Sequence, residues 1–188
     1  MSWEKELEEL KKRAELAKEM GGIERIAKHY ARGRLTVRER IDQLLDDDSF
    51  HETGEITGKV SYDENGEIKE FVPANFVFGR GKLDGRDVVV AGDDFTVRGG
   101  AADARIGNKS LYSLKLAEHL RLPLVNLVDG SGGGGSVKTL ETMGATYVPG
   151  LPSWQNIVRL LSMVPVVGAC MGSVAGLGSA RVLSLIHI

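Results

Sequence analysis

The sequence predicts an α/β fold behind a charged helical extension, and three observations carry that prediction. Beyond residue 70, short apolar runs of strand length alternate with segments of helical periodicity. Glycine, 24 of 188 residues, is concentrated where those runs end. The first fifty residues differ from the rest in holding nearly half of all the charged side chains. Strands that are apolar throughout need both sheet faces covered, so helices must lie on each side.

In chain order, Trp3, Leu7, Leu10, Ala14 and Ala17 fall at helical spacing, and Gly21-Gly22 ends that helix. The stripe fits a helix lying on its own body or on a partner subunit. Thr36 and Glu39 have capping-box spacing and open a second helix with Ile41, Leu44 and Leu45 on its apolar face. Asp46, Asp47 and Asp48 follow as a solvated turn; a hard cation is the alternative. Asn65-Gly66 signals a hairpin. Runs 71–78 and 88–91 read as strands, separated by Gly79, Gly81 and Gly85. Gly99-Gly100 opens a helical segment that Pro123 stops, and 124–128 is a buried strand. A glycine-rich loop at 130–135, a helix near 153–163, a strand at 166–171 and a glycine-spaced turn at 172–178 complete the order.

Composition excludes several classes. With 24 Lys+Arg against 26 Asp+Glu the chain lacks the basic excess of a dedicated nucleic-acid binder. One cysteine makes neither an internal disulfide nor a multi-thiolate metal site, which points to a reducing, cytoplasmic setting. The histidines have no ligand spacing, so no metal is expected. The first fifteen residues lack the apolar core of a secretory signal and mix acids with bases, unlike a transit peptide.

Two glycine-rich turns are the candidate sites. In Asp129-Gly130-Ser131-Gly132-Gly133-Gly134-Gly135-Ser136-Val137-Lys138-Thr139, Val137 breaks a P-loop match, and no acid stands where a dinucleotide site needs one. The main-chain N–H groups of Gly132, Gly133, Gly134 and Gly135 suit a nest for anionic oxygen, with Lys138 close by; a flexible surface loop is the alternative. The turn Gly172-Ser173-Val174-Ala175-Gly176-Leu177-Gly178 offers N–H groups to an oxyanion where a strand gives way to a helix. Its rivals are close helix–sheet packing without chemistry and, from the repeated G-x-x-x-G, a membrane helix that Pro165 argues against. No serine sits in a nucleophile elbow. Cys170 reads as a small buried hydrophobe.

Taken together, Gly33-Arg34-Leu35-Thr36-Val37-Arg38-Glu39-Arg40-Ile41, the 46–50 turn, Asp94-Phe95-Thr96-Val97-Arg98-Gly99-Gly100, the 129–135 loop and the 165–178 segment carry a resemblance. The sequence resembles the carboxyltransferase (β) subunit of biotin-dependent acyl-CoA carboxylases over most of residues 25–182. The resemblance implies a crotonase-like spiral of ββα units, of which this is the N-terminal, acyl-CoA-holding half-domain. It implies residues 1–50 as a helical extension, 51–182 as a partial carboxyltransferase domain, and 183–188 as a non-native tail. Those last six residues match the in-frame translation of a sequencing-library transposase end.

The implied reaction moves a carboxyl group from carboxybiotin, borne by a carrier protein or domain, to the α-carbon of an acyl-CoA. Backbone N–H groups hold the enolate, and by position that pair falls on Gly176 and Leu177. Leu177 replaces a glycine, which a donor tolerates if its φ is negative. Gly99, Gly100, Gly132, Gly133, Gly134, Gly135 and Lys138 fall on the substrate side. A homo-oligomer, an acyl-CoA substrate, no membrane and an inactive isolated segment are further expectations. The alternatives are an acyl-CoA decarboxylase subunit, another crotonase-type enzyme, or a non-catalytic scaffold.

Overall fold

A computed structural model describes residues 3–101, 108–130, 137, 140–141, 144–146 and 153–187. Its centre is a six-stranded mixed sheet. The strands are β1 (His51–Glu52), β4 (Phe76–Leu83), β5 (Arg86–Asp93), β6 (Leu124–Val128), β7 (Val166–Cys170) and β8 (Ile186–His187), adjacent in that order. The first two pairings are antiparallel and the last three parallel. A hairpin, β2 (Gly58–Tyr62) and β3 (Ile68–Pro73), stands apart as its own sheet. It turns where Asn65-Gly66 predicts, with Gly66 at φ 79.

The expected run 71–78 breaks at Ala74-Asn75, where the chain passes from the hairpin into the main sheet. β4 and β5 join through Asp84 (φ 50) and Gly85 (φ 75), two left-handed residues that match the twist of a tight hairpin. The Asp46 carboxylate accepts both turn amides, from Asp84 at 2.9 Å and Gly85 at 2.8 Å. One of the three crowded acids therefore pins a hairpin.

Helices cover both sheet faces. On one lie α4 (Lys109–Leu120) and α5 (Trp154–Leu161), closing a core of Phe76, Val89, Leu114, Ala117, Leu124 and Leu160. On the other lies α3 (Val37–Leu44), whose Val37 and Ile41 meet Val77, Val90 and Leu127. Thr36 caps α3 in a complete capping box with Glu39. The helix expected from Gly99 begins instead at Lys109, and Arg98–Gly100 is a separate single turn.

α1 (Glu4–Lys18) buries only Ala17; Trp3, Leu7 and Leu10 stay exposed. It is held to the hairpin by polar contacts of Glu9 and Arg13 with Tyr62. A short helix that periodicity did not separate, α2 (Ile23–Tyr30), follows the Gly21-Gly22 break. α6 (Leu177–Leu183) runs on from the glycine-spaced turn, and Leu185 packs into the first core as β8 pairs with β7. Cys170 corrects an expectation: it is exposed, because it ends its strand beyond the helices covering Val166 and Gly168. Among the described residues no helix is long and apolar enough to cross a membrane.

Candidate functional site

Because β5, β6 and β7 are parallel, their C-terminal ends lie side by side. Ligands in open α/β sheets bind outside such ends, where the turns supply main-chain groups. Here each strand leads into a glycine-bearing turn, at 94–100, 129–130 and 171–178. The three turns meet at backbone distance. Gly100 (φ 62) sits so near the Asp129 carbonyl that a Cβ would overlap it. A Cβ on Gly130 would stand 2.6 Å from the Gly100 oxygen, and one on Gly178 would stand 2.8 Å from the Gly130 oxygen. Gly130 is therefore the seat on which the first and third turns rest.

At the third turn, Gly176 has φ 58 and ψ −126, a conformation that only glycine adopts readily, and it leads directly into α6 at Leu177. Leu177 is not among the left-handed residues, which meets the condition for a side chain at a donor position. The Ser179 hydroxyl donates to the Val174 oxygen at 3.0 Å and ties the turn to the helix. The Gly176 and Leu177 amides find no acceptor among the described residues. Gly176 is exposed and Leu177 half-buried, so both lie within reach of solvent or ligand.

Beneath the turns lie two buried ion pairs. Asp129, fully buried at the end of β6, accepts from Arg40 Nη1 at 2.7 Å. Arg40 also reaches the Met171 oxygen at 3.4 Å and His29 Nε2 at 3.5 Å. The second Asp129 oxygen has no hydrogen bond, with Arg34 Nη1 standing 3.9 Å away. Asp93, ending β5, is met at 3.1 Å by Arg181 Nη1 from α6 and accepts the Asp129 amide at 3.3 Å. These pairs lock α3, α6 and the ends of β5 and β6 to one another.

Asp94 forms no hydrogen bond with either pair among the described residues. Burial pushes its carboxyl up, partly opposed by hydrogen bonds from the Thr96 hydroxyl (2.6 Å) and amide (2.9 Å). A third buried cluster joins Glu52 to Arg38 at 2.6 Å and Lys109 at 3.2 Å, and burial pulls the Lys109 amine down. Among the described residues no group of three His, Cys, Asp or Glu is placed to hold a metal.

Of the residues the sequence singles out, Gly99 and Gly100 line the first turn, and Gly176 and Leu177 form the third. Gly132, Gly133, Gly134, Gly135 and Lys138 lie outside the described residues. Arg40, Asp93, Asp129 and Arg181 were missed as a set. Their signal is an acid directly after each of two apolar strand runs, 88–93 and 124–129, where a buried carboxylate requires a cation.

Comparison with known proteins identifies the family. The sequence profile described as the carboxyl transferase domain matches residues 28–180. The carboxyltransferase subunit of propionyl-CoA carboxylase from Haloferax mediterranei is 30% identical over 178 residues, 94% of this chain and 33% of that one. The alpha subunit of methylmalonyl-CoA decarboxylase from Veillonella parvula is 31% identical over 83% of this chain and 30% of its own length. Among solved structures, the transcarboxylase 12S hexamer, described with methylmalonyl-coenzyme A and methylmalonic acid bound, superposes with a TM-score of 0.67 at 28% identity. That match covers 90% of this chain and 32% of the other. The chain thus spans about a third of the length of these relatives. Its fold is crotonase-like, and the chain belongs to the carboxyl transferase domain family.

Proposed function

We propose that this chain supplies the acyl-CoA side of a carboxyltransferase that moves a carboxyl group to the α-carbon of an acyl-CoA thioester. The observation that carries the reading is the Gly176-Leu177 turn, two adjacent N–H groups without an acceptor among the described residues, at the end of a parallel sheet where ligands bind. As the α-C–H bond breaks, its electron pair shifts onto the thioester oxygen. The Gly176 and Leu177 amides donate to that oxygen until the α-carbon bonds the incoming carboxyl carbon and the carbonyl re-forms. One such donor is worth about 2.7–4 kcal/mol in a transition state. Gly100 and Gly130 hold the turns in register beneath it, while Gly132, Gly133, Gly134, Gly135 and Lys138 receive anionic oxygens of the substrate.

Carboxybiotin, borne by a partner protein or domain, is the donor in this reading; on cleavage of its nitrogen–carboxyl bond it would supply the carboxyl carbon, and the nitrogen so freed would take up the α-proton. The residues of this chain are assigned to the thioester alone. We place the protein in the cytoplasm, and as a homo-oligomer in its complete form. A decarboxylase running the same chemistry in reverse is the second reading, favoured by the Veillonella parvula relative.

The test uses this chain joined to the remainder of its subunit. Leu177 is the first residue of α6, where proline keeps the helix and deletes only the N–H. Leu177→Pro is expected to lower kcat by about 10²–10³ with little change in KM. Leu177→Ala, which keeps the donor, should stay within a few-fold of wild type. Equal losses in the two variants, or none in Leu177→Pro, would overturn the assignment.

A further inference from the structure

Asp93 and Arg181 are buried, with 1% and 8% of their surfaces exposed, and neither is placed against the thioester. A buried ion pair adds little net stability over apolar residues of similar size. What distinguishes this pair is the elements it joins. Asp93 ends β5, and Arg181 stands four residues beyond Leu177, one turn along α6 and on the same helix face. The Leu177 amide therefore lies about 6 Å along the helix axis from the residue that ties the helix to the sheet.

α6 has seven residues, too few to hold a direction by its own hydrogen bonds. Its direction is set by what it touches. Arg181 Nη1 donates to both Asp93 oxygens at 3.1 Å, and the guanidinium lies over the Phe76 ring at 5.9 Å. Phe76 is the cross-strand neighbour of Asp93 in the β4–β5 ladder, so a single rung of the sheet holds the arginine. The same carboxylate accepts the Asp129 amide, just past β6, at 3.3 Å. Nearer the start of α6, Gly178 rests on the Gly130 carbonyl. A short helix seated on Gly130 and tied to Asp93 can neither tilt nor turn without breaking one of these contacts.

We propose that Asp93 and Arg181 are positioning residues for the carboxyl transfer: through α6 they aim the Gly176 and Leu177 amides at the oxygen on which negative charge develops. The proposal rests on the assignment of those amides to the thioester oxygen. Such donors work only when held within about 0.5 Å of the productive geometry, and a misplacement of about 1 Å can cost about a hundredfold in rate.

The test again uses this chain joined to the remainder of its subunit, with kcat and KM taken per folded enzyme and stability from urea midpoints. Arg181→Met, which removes the cation alone, should lower both stability and kcat. Asp93→Asn/Arg181→Met removes both charges and should recover most of the lost stability. Its kcat should nonetheless stay at least about tenfold below wild type, with KM within about twofold. A pair with a merely structural role would recover kcat together with stability. Leu160→Ala, a core truncation on α5, should lower stability and leave kcat unchanged. In a Leu177→Pro background, where that amide is gone, the double substitution should lower kcat by no more than about threefold, because groups acting through one another are not additive. Should the double variant fail to fold, Arg181→Lys takes its place: it keeps the charge, loses the planar fork, and should lower kcat by about threefold or more. Wild-type kcat in the folded variant, or an equal factor with and without the Leu177 amide, would overturn the positioning role and leave the amide assignment standing. Full kcat in Leu177→Pro would instead overturn the amide assignment, and this proposal with it.

Discussion

Asp129 lies fully buried with one carboxylate oxygen on Arg40 and the other without a hydrogen bond. A buried ion pair adds little net stability over an apolar substitute, but removing one partner strands a charge, at a cost of about 3–5 kcal/mol. Arg40→Met should therefore lower the unfolding free energy by about that amount in urea, more than a surface change such as Arg86→Met. Gly172 packs against the same carboxylate, close enough for a Cβ to overlap Asp129 Oδ1. Gly172→Ala should cost about 1–3 kcal/mol by the same measurement, as overpacking does. Residue-scale reading of the sequence placed Gly172 in a turn but assigned Arg40 no role, since its partner lies 89 positions away. It also buried Cys170, because an apolar run does not reveal which of its residues passes beyond the helices.

At the scale of elements, the capping box of α3 was fully legible, because all its contacts lie within four residues. Thr36 Oγ1 donates to Glu39 Oε2 at 2.7 Å, the Thr36 amide donates to the same oxygen at 2.8 Å, and the Glu39 amide donates back to Thr36 Oγ1 at 3.4 Å. The Thr36 hydroxyl holds the Glu39 carboxyl below its usual range. A folded-state pKa lowered in this way contributes stability above the unfolded value and loses it as pH falls through the lowered folded value. Thr36→Ala should thus cost about 1 kcal/mol near neutral pH, shrinking in acid, in denaturant melts at several pH values. The α1 stripe shows the opposite case. Its period fixed a helix, but the apolar side chains of Trp3, Leu7 and Leu10 remain uncovered in this chain.

For the whole molecule, the governing feature is a sheet with both faces covered, its parallel strands aimed at one edge. Coverage is incomplete on the outside. Trp154, Val158 and Leu161, on one side of α5, are all exposed, as is Leu183. Exposed apolar stripes promote association. The purified 188-residue chain should self-associate with rising concentration in sedimentation velocity and melt broadly, and Val158→Lys should reduce that association. A sharp, reversible, monomeric transition in the unmodified chain would contradict this expectation.

The sequence by itself determined the local grammar: the Asn65-Gly66 and Gly172–Gly178 turns, the cap at Thr36, the strand at 124–128 and the start of the next at Val166, and the resemblance carried by their order. These depend on backbone geometry and on periodicities written over a few residues. Only the tertiary structure decided that Gly100, Gly130 and Gly178 touch, that Asp129 answers Arg40 and Asp93 answers Arg181, and that Arg25, Lys28 and Arg32 line one cavity with Arg98. Such pairings join residues far apart in the chain, and it is sheet order and strand direction that bring them together.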